Sequence, residues 1–496
     1  SGGIEITTSN LSLTQGGRVS ANTGGQGDAG QITIQASGNI SADGEDSGGI
    51  SSSISSQVAS TGVGNSGGIE ITTTNLSLTQ GGRVSTGNLG TGKAGAITIN
   101  AAGTVSADGE NSGGILRNIN SQVASTGVGN SEGIDITTTD LSLTRGGVID
   151  ASTFGDGNAG KITINAAGNI SADDGSIGSQ VAPTGVGNSE GIEITTTNLS
   201  LTQGGRVSAN TLGQGEAGNI NITANILEVT TGSQIQTNTT TNFDAADIIL
   251  EIKDNLFLSG SDSGLFAQTE GEGEAGDIKI DTPNLTIAQG ASISAFTEAS
   301  GDSGTITINA PQSVLLTDGS GLTVETSAAG KPGNIFITTS NLTIGKDSEI
   351  SATATANSTN TEGGGSITIN TSNLDLTGKL GIFAETRSEA PAGTLTIESY
   401  QDRGELNIKF TDAAFISTLT EASGVGGDIN ITAPETIDIS GQGKITAETS
   451  GSGNAGSINI NTENLNISDL TQISASTEGA GEAGDININA ANFNLL

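Results

Sequence analysis

The chain has 496 residues, a formal net charge of −37 from 53 acidic and 16 basic side chains, 77 Gly, 10 Phe and 1 Tyr, with no Cys, Met, His or Trp. That balance excludes nucleic acid as a partner, because phosphate binding needs clustered Lys and Arg. It also excludes disulfide and thiol chemistry, and no apolar run approaches the roughly 18 residues of a membrane span.

Ile4-Glu5-Ile6 opens the chain with the alternation of a half-buried strand. Asn10 precedes a second alternating segment, Leu11-Ser12-Leu13, and Gly16-Gly17 then breaks the chain. Val19-Ser20-Ala21 predicts a third short strand. A turn-rich stretch from Thr23 to Gly30 leads back to Ile32-Thr33-Ile34, where the pattern restarts. Restarts fall at positions 4, 32, 69, 97, 134, 162, 192, 220, 248, 278, 306, 335, 367, 395, 429, 458 and 486. Tandem copies of about 28 residues define a solenoid, which grows by stacking and not by enlarging one core. The expected fold is all-β: a right-handed parallel β-helix (β-solenoid) of about 17 coils, three short strands per coil. The hand follows from parallel crossovers, about 98% of which are right-handed.

Residues 1–496 are expected to form a single continuous β-solenoid. Residues 1–219 are near-identical double coils of 65 residues, and residues 220–496 are diverged coils. In the double coils one member is longer, with Asp43-Gly44-Glu45-Asp46-Ser47-Gly48-Gly49 inserted after its second strand. A copy runs from Asp108 to Gly114, and a third is cut to Asp173-Asp174-Gly175; these insertions are expected to project from one corner. Ile, Leu, Val and Ala are predicted to point inward, and Thr, Ser, Glu and Asn outward. Asn recurs before the second strand, as at Asn10, Asn39, Asn75, Asn198, Asn341 and Asn464. The expectation there is a left-handed turn residue whose side chains also form a ladder. The pattern is weakest around Tyr400–Leu406, where a bulge or side loop is expected.

Little in the chain names a reaction. There is no His or Cys to serve as base or nucleophile. Paired carboxylates could act on glycosidic bonds, but 16 Lys plus Arg and 1 Tyr are sparse for holding sugar, so no catalytic residue is assigned and the chain reads as a non-enzyme. The loops before the first strand are Gly-rich and acidic. They offer a weak candidate calcium set: Asp28, Asp156, Glu216, Glu272, Glu274, Asp277, Glu482 and Asp485. Calcium takes 6–8 oxygens from carboxylates and carbonyls, and stacked loops could supply them. The competing reading is a solvated acidic edge, and no other cofactor is implied. A flat Thr face for ice is ruled out by Glu5, Glu70, Asp135 and Glu193 in alternate coils.

The pieces Gly-x-Ile-Thr-Ile-Asn-Ala, Asn-Leu-Ser-Leu-Thr-Gln-Gly-Gly and Gly-x-Gly-x-Ala-Gly are similar to the repeat region of filamentous-haemagglutinin-like exoproteins, most of all those of cyanobacteria exported by two-partner secretion. The resemblance implies a right-handed β-helix and an adhesive role at the bacterial surface or outside the cell. Expected partners are other copies along or beside a fibre and cell-surface or matrix polysaccharide. A calcium- or polysaccharide-binding module is the alternative reading. The chain is further expected to be an internal segment of a longer solenoid.

Overall fold

The computed structural model describes residues 2–109, 118–355, 357–361, 363–402 and 404–496. The chain is a right-handed parallel β-solenoid, and a strand begins at every one of the seventeen restart positions. It divides into two compact units, Ser1–Ile249 and Leu250–Leu496.

In the first unit the first strands pair parallel in the register Ile4↔Ile32↔Ile69↔Ile97↔Ile134↔Ile162↔Ile192↔Ile220. Identical side chains therefore stack on identical side chains along the interior. Ile32, Ile97 and Ile162 are 0% exposed, and Ile134 is 3% exposed. The third strands form a separate column, Val19↔Ile54↔Val84↔Ile119↔Ile149↔Ile177↔Val207↔Ile235. Each such side chain contributes roughly 1.5–3 kcal/mol by leaving water. The second unit repeats this from Ile278↔Ile306 to Ile458↔Ile486 and, in the third strands, from Leu265↔Ile293 to Ile445↔Ile473.

Each complete coil holds three short strands, or two where strands join. In several, the first and second strands run on as one, as in Ile220–Thr230, Ile306–Leu316 and Ile458–Ile467. The stretch read as a plain turn-rich loop carries a fourth ladder of single-residue bridges. In the second unit it runs Thr269↔Thr297↔Thr326↔Ala354↔Thr386↔Thr420↔Thr449↔Thr477. Its Thr side chains are buried from Thr269 to Thr449. They serve the backbone at the corner: Gly271 N donates to Thr269 Oγ1 at 3.2 Å, and Thr420 Oγ1 donates to the Val425 carbonyl at 3.1 Å.

The Asn residues before the second strand do form a ladder. Asn75 Nδ2 donates to Asn39 Oδ1 at 2.8 Å, Asn198 to Asn169 at 2.8 Å, Asn373 to Asn341 at 2.9 Å and Asn492 to Asn464 at 2.8 Å. The left-handed conformation expected of them lies elsewhere, after the second strand. Gln15 and Gly16 have φ of 51° and 80°, and Gln80, Arg145 and Gln203 repeat the arrangement at 48°, 49° and 54°. Two successive positive φ values make a tight turn that needs Gly at one position, which accounts for the first Gly of each recurring Gly-Gly. The loop glycines have a second reason. Gly64, Gly92 and Gly129 have φ of 148°, 138° and 130°, and a Cβ on Gly92 would stand 1.9 Å from the Gly64 carbonyl oxygen.

The first insertion folds back on itself. Asp46 Oδ1 accepts from Gly48 N at 2.8 Å and Ile50 N at 2.9 Å, and Glu45 bridges Ser51 antiparallel. Of its copy, Glu110 to Gly114 lie outside the described residues. The third copy does not project; Asp174, at φ 55°, turns the chain directly into the next strand. The irregular piece at Tyr400–Asp402 is a single 3-10 turn with Gln401 at φ 50°, followed by the strand Glu405–Thr411. Arg403 lies outside the described residues.

Candidate functional site

The third strands put their outward side chains into columns, because parallel pairing without shift brings equivalent residues into line. In the second unit one column runs Glu349, Gly381, Phe415, Lys444, set by the pairs Ile350↔Ile382, Gly381↔Phe415 and Phe415↔Lys444. The next column is Ser351, Phe383, Ser417, Thr446. Two residues further on come Glu325, Thr353, Glu385, Leu419 and Glu448. Together with Lys379 and Arg387 these side chains enclose a groove of about 460 Å³, within the roughly 300–1,000 Å³ of small-ligand sites.

Gly381 opens the groove. It leaves no side chain between Glu349 and Phe415, and a Cβ there would lie 1.9 Å from the Phe415 carbonyl oxygen. The floor is polar and buried: Ser351, Thr353 and Ser417 are 4%, 5% and 4% exposed. Glu385 is 7% exposed and sits among them. Ser351 Oγ donates to Glu325 Oε1 at 3.0 Å. Thr355 Oγ1, on the groove wall, is one of three buried side-chain oxygens among the described residues with no hydrogen-bond partner.

The electrostatics follow from that burial. Loss of water pushes the Glu385 carboxyl above its ordinary range; its hydrogen bond with Ser417 and the Arg387 charge pull the other way, and Glu421 and Glu349 add to the rise. Burial likewise raises Glu325, opposed by the Ser351 hydrogen bond and reinforced by Glu349. Glu349 is raised by burial and partly relieved by Arg387. The cations are at the rim: Lys444 Nζ stands 5.7 Å from the Phe415 ring centroid, and Arg387 Nε is 3.6 Å from Glu421 Oε1. Such a set can accept hydrogen bonds from hydroxyls, donate them when protonated, and cover an apolar face with the two Phe rings.

The eight acidic loop residues singled out for calcium are all exposed. They fall on five loops, and two of them have another task. Asp28 Oδ1 accepts from Asn65 N at 2.7 Å, and Asp277 Oδ1 accepts from Thr305 N at 2.7 Å. Asn positions continue the same support: Glu216 N donates to Asn188 Oδ1 at 3.0 Å and Glu482 N to Asn454 Oδ1 at 2.9 Å. Asp156 bridges Val128 and Val186 through its backbone. Glu272 and Glu274 stand on one loop, and the Asp485 carbonyl accepts from Ile458 N at 2.9 Å. Among the described residues no three acidic, His or Cys side chains come together as a metal site.

The reading of the sequence missed the groove. Its signal was the crowding of Phe383, Phe415 and Lys444 with Glu385 and Glu448 at equivalent third-strand positions, visible only once the coils are aligned. No known protein family, curated protein or solved structure matches the chain.

Proposed function

We propose that the chain is a structural and adhesive element, a length of fibre shaft held outside a bacterial cell, of the filamentous-haemagglutinin-like type exported by two-partner secretion. Its role is to bear and present surface, and it carries out no reaction. The observation that supports this most is the uniform investment in stacking. Both units repeat the same paired first and third strands, the same Asn ladder and the same buried aliphatic columns. Material of this kind gains stability coil by coil and suits a scaffold.

The outward first-strand column Glu5↔Thr33↔Glu70↔Thr98↔Asp135↔Thr163↔Glu193 keeps the surface acidic in alternate coils. With a net charge of −37, copies lying side by side repel each other at low salt and approach when salt screens them. Self-association beside the fibre is then salt-controlled, and surface polysaccharide is the adhesive partner. An antibody against the chain should label intact producing cells, and electron microscopy of the purified chain should show elongated particles. Labelling only after permeabilisation, or a compact globule, overturns the reading.

A further inference from the structure

We propose that the groove over the third strands of the second unit, around Phe383, Glu385 and Phe415, is a binding site for a neutral glycan chain. The proposal rests on the adhesive reading for its setting and names the partner of that adhesion.

Four features select a glycan. The site combines aromatic faces with acceptors: Phe383 and Phe415 flank a row holding Glu325, Glu385 and Glu448. A sugar ring is built the same way, with an apolar C–H face and an edge of hydroxyls. The acceptors also have spare capacity. A carboxylate offers about four lone-pair sites, and Ser417 supplies the side-chain hydrogen bond of Glu385 within the protein. Burying that group with so few donors costs free energy, which ligand hydroxyls would recover. Thr355 Oγ1, buried without a partner on the same wall, marks a second polar position left for a ligand.

The third feature is spacing. Coils repeat at about 4.8 Å, close to the length of one pyranose residue in an extended chain. Glu325, Glu385 and Glu448 come from alternate coils, so a glycan running along the stack meets equivalent groups at regular intervals. The groove from the coil of Glu325 to that of Glu448 is about 19 Å long on this spacing.

The fourth feature is charge. Glu325, Glu349, Glu385 and Glu448 face Lys379, Arg387 and Lys444. Acidic groups outnumber basic ones by one here, and by 37 over the chain. A sulfated or uronic-acid polymer is repelled by that field, and a neutral glycan is not.

The test uses the full chain, with calorimetric titration of cellohexaose, maltohexaose and laminarihexaose as neutral probes and oligogalacturonate and a heparin oligosaccharide as acidic ones. At least one neutral hexasaccharide should bind. Phe383→Ala and Glu385→Gln should each weaken it about tenfold or more, equivalent to about 1.4 kcal/mol. Thr98→Ala, on the first-strand face of the other unit, should leave it unchanged, and circular dichroism should show every variant folded. If Phe383→Ala loses structure, Glu385→Gln carries the test alone. No binding of any neutral probe at millimolar concentration overturns the proposal, as does preference for an acidic probe or insensitivity to both groove variants. Shortening of a hexasaccharide during incubation overturns it in favour of hydrolysis by the carboxylates. Absent glycan binding with intact surface labelling removes the groove assignment alone. Glycan binding by a chain that labels only permeabilised cells removes the surface reading alone.

Discussion

The third-strand faces of the two units share a backbone plan and differ in what they leave unspent. In the first unit the outward positions hold hydroxyls and amides that bond to hydroxyls one coil away, at the paired position or two residues from it. Gln57 Nε2 donates to Ser85 Oγ at 2.7 Å, Gln180 Nε2 to Ser208 Oγ at 2.7 Å, and Ser55 Oγ to Ser20 Oγ at 3.3 Å. Arg83 Nη2 reaches Ser51 Oγ at 2.6 Å across a smaller hollow of about 320 Å³. In the second unit the same columns bring together unlike neighbours: Gly381 above Phe415, Phe383 beside Ser417, Glu385 between Thr353 and Leu419. Like residues stacked in register satisfy one another. Unlike residues leave gaps and spare acceptors, and the diverged copies thus carry the larger, carboxylate-lined groove.

If only the outer face has diverged, the interiors should respond alike. Ile164→Asp in the first unit and Ile308→Asp in the second, at positions 0% and 1% exposed, each remove a core side chain and bury a charge. Each should cost more than about 4 kcal/mol, seen as loss of the cooperative melt of its unit. A variant melting like the parent would show that its unit is not packed as described.

The Asn ladder sharpens the comparison at smaller scale. Asn75 bonds to Asn39 and accepts from Thr104 N at 2.8 Å, and Asn341 accepts from Asn373 while its Nδ2 donates to the Gln312 carbonyl at 2.9 Å. With two bonds lost in each case, Asn75→Ala and Asn341→Ala should each cost about 1–2 kcal/mol in chemical denaturation. A marked inequality would mean that the ladder supports one unit only.

Acidity should separate the units by sign. Burial holds the Glu385 carboxyl above its ordinary value of 4.5, so the folded chain keeps that proton to higher pH than the unfolded chain. The stability this provides is complete below about pH 4.5 and is lost as pH rises through the folded value. Glu385→Gln should therefore flatten the fall in melting temperature of the second unit above that pH. Asp46 in the first unit runs the other way. The backbone N–H of Ile50, then that of Gly48, lowers its carboxyl below 3.8, so its contribution is present above that value and lost as pH falls through the lowered one. Melting temperatures that follow one common pH trend in both units, unchanged by Glu385→Gln, would break this contrast.

The smallest expected effect is on the first-strand face. Thr163 looks like a neutral outward site in the sequence, but it pairs between Asp135 and Glu193. Thr163→Asp would set three carboxylates in line and cost roughly 0.2–1 kcal/mol per like-charged pair, less in high salt. Thr307→Asp, between Lys279 and Phe336 in the second unit, should be neutral or stabilising. Equal melting shifts for the two would show that the column does not act through charge.

Much of this architecture was legible in the residues. Ile or Leu in alternation, after Gly in every coil but that of Ile248, marks the first strands, because a buried face with period 2 tolerates little else, and Asn before Leu or Ile marks the ladder. The buried Thr column from Thr269 to Thr449 was not legible, since each coil contributes one bridged residue inside a Gly-rich stretch and one residue has no period. The groove was hidden for a related reason. Its side chains come from five coils, so counts over the whole chain dilute the three cations and two Phe rings that stacking concentrates in one place. Propensity points to Asn for the left-handed turn, whereas after the second strand that conformation falls to Gln, Arg, Asp or Thr, in many coils beside a Gly.

The alternation along Glu5, Thr33, Glu70 and Thr98 also bears on how such a gene can change length. Unequal crossing-over between near-identical copies adds or removes whole repeats. An exchange that moves a double coil preserves the order of carboxylate and hydroxyl. Loss of a single Thr coil, or gain of a single acidic one, sets two carboxylates on adjacent strands about 4.8 Å apart. Chains lengthened by pairs of coils fold without that repulsion, so the heritable step of growth is two coils, and the 65-residue spacing of Ile4, Ile69 and Ile134 is the imprint such a filter leaves.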